Sequence, residues 1–131
     1  MNKSILVVGA LLGATAVMSG AFGAHALQSV LSEKAAGWYD TAVTYHSTHA
    51  LALLAAGLVS LHTANGPGTK WLKISAWCFC LGVLVFSGSL YVMAFTGITK
   101  LGMITPIGGA LLIIGWLSLA WGASRLSTGV S

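Results

Sequence analysis

The side chains that could carry chemistry in this chain are histidines, tyrosines and hydroxyl groups set inside long apolar segments. Polar groups are costly within a lipid bilayer, so they usually face protein or water rather than acyl chains. His49 would be the deepest of them, because roughly 15 Å of helix separates it from Tyr39. Together these positions predict a polar cluster, a candidate ligand-binding site on one side of the membrane: His25, Tyr45, His49, Ser87, Ser89, Tyr91 and Thr105.

A metal site is the second chemistry to consider, because His46 and His49 form a His-x-x-His pair. On a helix this spacing can hold one metal ion between two imidazoles. Further ligands are limited to Asp40 and His25 at the predicted rim. We therefore predict no cofactor, with His46 and His49 as the ligands if a metal is present. A haem would need axial ligands at matched depth, and His25 and His49 differ in expected depth.

Charge and motif content exclude other classes of function. The sequence has no nucleophile–base pair, phosphate-binding loop or paired carboxylate, so we predict a protein that is not an enzyme. Six basic and two acidic residues occur among 131, without the basic run that typifies nucleic-acid binding. The expected partners are the lipid bilayer and a membrane protein or a second copy of the chain, and no nucleic acid.

Four apolar segments must position these side chains, and each has about the length needed to cross a bilayer, on the order of 20 residues. The hydrophobic fraction is 56% and the mean hydropathy is +0.90, which is high for a soluble domain. We predict an all-α fold, a four-transmembrane-helix bundle formed by a single domain over residues 1–131. The helices are expected at roughly 4–24, 41–62, 71–95 and 105–125.

Two local patterns predict how the spans are connected. Leu27, Val30 and Leu31 would share one face of a helix over residues 26–36, and polar side chains would take the other. This pattern predicts a short interfacial helix between the first two spans. Thr105-Pro106 predicts the start of the fourth helix, since threonine can cap free N–H groups and proline suits a first turn.

Glycines recur at three- and four-residue steps in the first span and return in the third and fourth. Such small-xxx-small stripes let two helix backbones approach closely in a membrane. Because glycine lowers helix propensity, its enrichment predicts tight helix contacts. The predicted packing positions are Gly9, Gly13, Gly20, Gly23, Gly88, Gly108, Gly109 and Gly115.

The basic residues predict an orientation in the membrane. With four crossings, both termini and the middle turn share one side. That side holds four basic residues: Lys3, Lys70, Lys73 and Arg125. The other side holds two basic and two acidic residues: Lys34, Lys100, Glu33 and Asp40. Basic residues are enriched in cytoplasmic loops, so both termini are expected in the cytoplasm.

Several stretches together carry a family resemblance over nearly the whole chain. They are GAFGAHAL at 20–27, TAVTY at 41–45, HALALL at 49–54, FSGSLY at 86–91 and ITPIGG at 104–109, with Gly115-Trp116. In this order they resemble the YgdD/YwdK-like small inner-membrane proteins, family four-two-three of the domains of unknown function, which has small mitochondrial transmembrane proteins among its relatives.

The resemblance implies a four-helix protein of the bacterial inner membrane without an assigned activity. The family motifs match here at His25, Tyr45, His49, Ser87, Gly88, Ser89, Tyr91, Thr105 and Pro106. One position departs, because the family commonly has glutamine where this chain has His46. This departure argues against a metal held between His46 and His49.

We therefore predict a small integral protein of the bacterial inner membrane that acts as a structural or accessory subunit of a membrane complex or homo-oligomer. The glycine stripes and the near absence of soluble loops favour this role. The alternative is an outward-facing polar cavity that binds or transports a small molecule, a proton or a lipid headgroup. A second alternative is a metal- or haem-binding electron-transfer subunit.

Overall fold

Four long helices make up most of the chain. The computed structural model describes residues 2–63 and 65–126. Within these ranges the helices are α1 (Asn2–His25), α2 (Glu33–Leu61), α3 (Thr69–Thr96) and α4 (Thr105–Ser124), with a 3₁₀ helix (Thr99–Met103) before α4. All four are long and apolar enough to cross a membrane. The prediction of an all-α protein with four transmembrane helices is confirmed.

The connection between α1 and α2 differs from the prediction, because the short interfacial helix over residues 26–36 is not confirmed. Residues 26–32 form turns instead, in which the Val30 amide donates to the Leu27 carbonyl at 3.1 Å. The segment is short, and the first turn of an isolated helix is costly to nucleate. Leu27 is nevertheless buried, so the turns dock on the helices through this side chain.

The remaining residues of that segment belong to α2, which begins at Glu33 rather than near residue 41. Ser32 caps this helix, since its side chain accepts a hydrogen bond from the Ala35 amide at 3.1 Å. A serine cap contributes about 1 kcal/mol, and the charge of Glu33 is favourable in a first turn. The early start places Tyr39 inside the helix, where it is buried.

The connection between α3 and α4 consists of a left-handed residue at Gly97 and the 3₁₀ helix Thr99–Met103. Gly97 ends α3 with φ +72°, the left-handed conformation that glycine adopts readily. α4 then begins at Thr105 with Pro106 in its first turn. Thr105 does not cap the helix as predicted, because it is already the first helical residue. Its hydroxyl oxygen lies 2.6 Å from that of Ser89 on α3 instead.

Helices that are consecutive in sequence pack against each other, so α2 and α3 are central and α1 and α4 lie on the flanks. Within the described ranges, α1 and α4 make no extensive contact with each other. The largest apolar core lies between the helices, in the half of the bundle nearer the α2–α3 connection. Its buried members are Ile5, Ala52, Leu53, Ala76, Phe79, Val83 and Leu112.

The predicted packing glycines of α1 differ in how closely they meet α2. A Cβ atom added to Gly9 would lie 3.0 Å from the Leu54 side chain, and one on Gly23 would overlap the Tyr39 ring. At Gly20 the nearest atom would be at 3.5 Å, an ordinary contact, and at Gly13 nothing lies within 4 Å. Most of this stripe therefore serves contacts within the chain.

The glycines of α3 and α4 likewise differ in how closely they approach a neighbouring helix. A Cβ atom on Gly108 would meet the backbone of Phe86, and one on Gly115 would lie 2.7 Å from the Phe79 ring. Gly109 has the Phe86 ring at 3.7 Å, and Gly88 has nothing within 4 Å. Three close approaches that we did not predict add to these contacts: Gly57 on Leu6, Gly82 on Leu112 and Gly68 on Gly122.

Candidate functional site

His49 is a buried residue of α2 that is hydrogen-bonded to α4. Its Nε2 atom accepts a hydrogen bond from the indole N–H of Trp116 at 3.0 Å. Its Nδ1 atom lies 2.7 Å from the backbone carbonyl oxygen of Tyr45. An indole N–H can only donate and a carbonyl oxygen can only accept. The two contacts therefore fix the Nδ1–H tautomer and occupy both ring nitrogens of His49.

His46 has a different environment, between α1 and α3. Its Nε2 atom lies 3.0 Å from the Thr15 hydroxyl oxygen, and its Nδ1 atom lies 2.9 Å from the Tyr91 hydroxyl oxygen. The ring is 7% exposed. Three helices thus meet in a hydroxyl–imidazole–hydroxyl chain, which we call the His46 chain.

The hydrogen bonds of the His46 chain can run in two directions, because a hydroxyl group can donate or accept. In one arrangement Thr15 donates to the Leu11 carbonyl at 3.0 Å. His46 then donates from Nε2 to Thr15 and accepts at Nδ1 from Tyr91. In the other, Thr15 donates to Nε2 and Nδ1–H donates to Tyr91. The second arrangement frees the Tyr91 proton for another acceptor.

Tyr91 also borders a crevice between α1 and α3, with α2 as its floor. The crevice measures about 350 Å³ and is lined by Met18, Ser19, Phe22, Tyr39, Tyr91 and Phe95. The Tyr39 hydroxyl donates to the Ser19 carbonyl at 2.5 Å, and its ring packs edge-on against Tyr91 and Phe95. The crevice therefore combines aromatic walls with phenol and serine hydroxyl groups.

The remaining residues of the predicted polar cluster lie outside the crevice, although Tyr45 stacks on His49 with ring centroids 5.8 Å apart. Ser87 is buried and donates to the Ala42 carbonyl at 2.8 Å, and Ser89 bridges to Thr105. The Tyr45 ring is 41% exposed and packs on Phe86 with ring centroids 4.4 Å apart. His25 is exposed at the end of α1. Of the seven predicted residues, Tyr91 alone lines the crevice.

The candidate metal ligands His46 and His49 face different neighbours. His46 lies between two hydroxyl groups, whereas both nitrogens of His49 are used by Trp116 and Tyr45. His49 therefore has no nitrogen left for a metal ion or a haem iron. Among the residues that the structure describes, no group of three or more His, Cys, Asp or Glu side chains comes together.

Sequence reasoning missed four hydrogen-bonding members of these sites. Thr15 carries a hydroxyl group in the middle of an apolar span, at nearly the depth of His46. Ser19 lies one turn further along α1. Tyr39 served in the sequence only as the reference for the depth of His49, although the cap at Ser32 puts it inside α2. Trp116 was part of a family motif without a role.

Four apolar helices tied by buried histidine and serine contacts define a multi-pass integral membrane protein. Residues 19–109 match the family described as "Protein of unknown function (DUF423)". The chain belongs to this family, as the resemblance implied.

Individual relatives cover almost the whole chain and are described as membrane proteins. A UPF0382 membrane protein of Staphylococcus saprophyticus is 43% identical, and the match covers 95% of this chain and 99% of the relative. A UPF0382 membrane protein of Haemophilus influenzae is 42% identical, with 95% and 97% covered. The UPF0382 membrane protein YwdK of Bacillus subtilis is 36% identical, with 94% and 98% covered. No solved structure matches the chain.

Proposed function

We propose that this protein is a non-catalytic binding protein of the bacterial inner membrane, whose crevice between α1 and α3 holds a neutral amphipathic molecule. The observation that supports this most is the His46 chain, which ends at Tyr91 on the crevice wall. Polar groups within a membrane span are uncommon and tend to mark functional sites. Unlike His49, His46 has partners that leave its hydrogen bonding adjustable.

The lining of the crevice sets the class of ligand. Its six lining residues carry no charge, so an ionic headgroup would find no counter-ion there. The Tyr91 phenol can donate to a carbonyl oxygen, and the Tyr39 phenol, whose proton is donated to the Ser19 carbonyl, can accept from a ligand hydroxyl group. Phe22 and Phe95 suit an apolar body. A volume of about 350 Å³ is at the small end of ligand pockets. A lipid-like alcohol or ester carbonyl meets all of these requirements.

The His46 chain supports the same ligand class through its two directions. A ligand carbonyl oxygen can accept from Tyr91 when Nδ1 of His46 carries the proton and Thr15 donates to Nε2. A ligand hydroxyl group can donate to Tyr91 in the opposite arrangement. One site thus accommodates either oxygen without leaving a buried ring nitrogen unpaired, which would cost roughly 1–3 kcal/mol.

We expect His46→Leu and Tyr91→Phe to lose ligand binding and His46→Gln to retain much of it, because glutamine can still bridge two hydroxyl groups. The probe is a photoactivatable diacylglycerol, crosslinked to the full-length protein in vesicles and mapped by mass spectrometry. Wild-type protein should be labelled at the crevice, at Met18, Phe22 or Phe95. Labelling should fall at least five-fold in the first two variants.

Thermal unfolding of the same variants separates binding from folding. Tyr91→Phe keeps the ring and is the informative variant if His46→Leu does not fold. Unchanged labelling in Tyr91→Phe, or wild-type labelling that lies outside the crevice, would contradict the proposed function. Equal loss of stability in all three variants with unchanged labelling would assign the His46 chain to structure alone.

An accessory subunit or homo-oligomer is the second candidate role, and the outward face of α1 favours it. Val17 and Met18 are 72% and 61% exposed, Ala14 and Ala21 are exposed beside them, and Gly13 has nothing within 4 Å. Small residues on a helix face allow close helix contact in membranes. Native mass spectrometry after mild extraction should then show an oligomer or partner, and a strictly monomeric protein would contradict this role.

We infer from the basic residues that both termini lie in the cytoplasm. The end of the molecule that holds the α2–α3 connection carries four basic residues, Lys3, Lys70, Lys73 and Arg125, and the opposite end carries two, Lys34 and Lys100. This asymmetry is typical of a cytoplasmic face. A phosphatase fused after the last residue should be inactive, because this reporter folds only in the periplasm.

A further inference from the structure

A second groove lies at the opposite end of the membrane from the crevice, along the first turns of α3. It measures about 560 Å³, and the lining residues that matter here are Lys70, Lys73, Ile74, Trp77 and Cys78. Their spacing of three, four, seven and eight residues places them on one face of the helix. We call this surface the α3 groove.

The α3 groove changes from charged to apolar along the helix. Lys70 and Lys73 are exposed in the first turns, and Trp77 follows roughly 10 Å further along α3. Trp77 is 59% exposed, and tryptophan favours the level of the lipid headgroups. Ile74 and Cys78 continue the apolar part. Such a gradient fits one molecule that has an anionic head and an acyl chain.

The charges around the groove fit an anionic occupant. Only two acidic residues occur in the chain, Glu33 and Asp40, and both lie toward the other ends of the helices. No aspartate or glutamate side chain is therefore available to neutralise Lys70 or Lys73. The Lys70 ammonium lies 5.8 Å from the centre of the Trp71 ring, a contact that leaves its hydrogen-bond donors free for a phosphate.

We infer that the α3 groove binds one anionic phospholipid of the surrounding leaflet, with its phosphate between Lys70 and Lys73 and an acyl chain along Ile74, Trp77 and Cys78. The apolar part of the groove distinguishes a phospholipid from free phosphate, which would use the lysines alone. This inference does not depend on the crevice or its ligand, because the two sites lie in opposite halves of the membrane.

The test compares two double variants that remove the same charge from opposite ends of the protein. Lys70→Gln/Lys73→Gln changes the groove, and Lys34→Gln/Lys100→Gln is the matched control, in which Lys34 also lies near a tryptophan, at 5.5 Å from the Trp38 ring. All four lysines are exposed, so both variants should fold. Native mass spectrometry of the full-length protein measures binding of phosphatidylglycerol and phosphatidylcholine.

Wild-type protein should bind phosphatidylglycerol more tightly than phosphatidylcholine. The groove variant should lose roughly five-fold in affinity per lysine, and the control should keep the preference. Trp77→Ala should weaken both lipids. Equal losses in the two double variants would overturn the inference in favour of general charge attraction. Competition by millimolar inorganic phosphate would overturn it in favour of an anion site.

Discussion

Replacing Gly108 with alanine is expected to destabilise the protein by about 1–3 kcal/mol, the usual cost of overpacking a core. A Cβ atom at this position would lie 2.7 Å from Cα and 2.8 Å from Cβ of Phe86, and it would also crowd the Phe86 amide nitrogen. These are atoms of a helix backbone and its first side-chain carbon, which cannot rotate away. Helices α3 and α4 would have to separate. Thermal unfolding in detergent micelles, followed by circular dichroism, measures the loss.

Gly109→Ala is the matched control, one residue further along the same helix. Its new Cβ atom would lie 3.7 Å and 3.8 Å from the Phe86 ring, which is ordinary contact. Alanine is a better helix former than glycine by about 1 kcal/mol, so this variant should be as stable as the wild type or more stable. If Gly108→Ala matched the control, the close approach of α3 and α4 at Phe86 would be disproved.

The number and type of the helices follow from the sequence because apolar length alone determines a membrane span. The start of α2 does not follow so directly. Leu27, Val30 and Leu31 have helical spacing, yet seven residues without packing on both sides do not sustain a helix. The Ser32 cap and Glu33 favour a start at that point, whereas the prediction from apolar length starts the helix near residue 41.

The glycine pattern indicated close packing without indicating which neighbour is approached. Gly9 and Gly23 meet α2, and Gly108 and Gly115 meet α3, whereas Gly13 and Gly88 face open space. A repeat along one helix specifies a stripe, but the partner depends on the order of helices around it. Most of the predicted packing glycines contact another helix of the same chain. They therefore support association with other proteins less than we expected.

The polar cluster was predicted from depth, which sequence position gives well. The direction in which a side chain points around the helix axis decides which residues it contacts. The depth of a residue in the membrane does not give this direction. His46 and His49 are three residues apart, so their side chains point roughly 60° apart on the helix. This difference is enough to direct His46 to Thr15 and Tyr91 and His49 to Trp116. The residues of the one predicted cluster are therefore divided between a crevice and several hydrogen bonds that link the helices.

Trp116→Phe is expected to cost about 1–3 kcal/mol of stability, the penalty for leaving a buried hydrogen-bonding group unpaired. The indole N–H is the donor to His49 Nε2 at 3.0 Å, and His49 is 4% exposed. Phenylalanine keeps an aromatic ring at this position but has no donor. The Nδ1 atom of His49 remains bound to the Tyr45 carbonyl, so its Nε2 atom would face the apolar core without a partner.

Trp121→Phe provides the control on the same helix. Trp121 is 48% exposed and Trp116 is 44% exposed, so the two changes remove similar surface from lipid. Trp121 packs against Arg125 with the guanidinium 4.5 Å from its ring centre, a contact worth about 0.5–1 kcal/mol when exposed, most of which phenylalanine retains. Equal losses in the two variants would show that the indole hydrogen bond does not stabilise the fold. A larger loss for Trp116→Phe, with diacylglycerol labelling unchanged, would assign His49 to structure and leave His46 as the histidine available to a ligand.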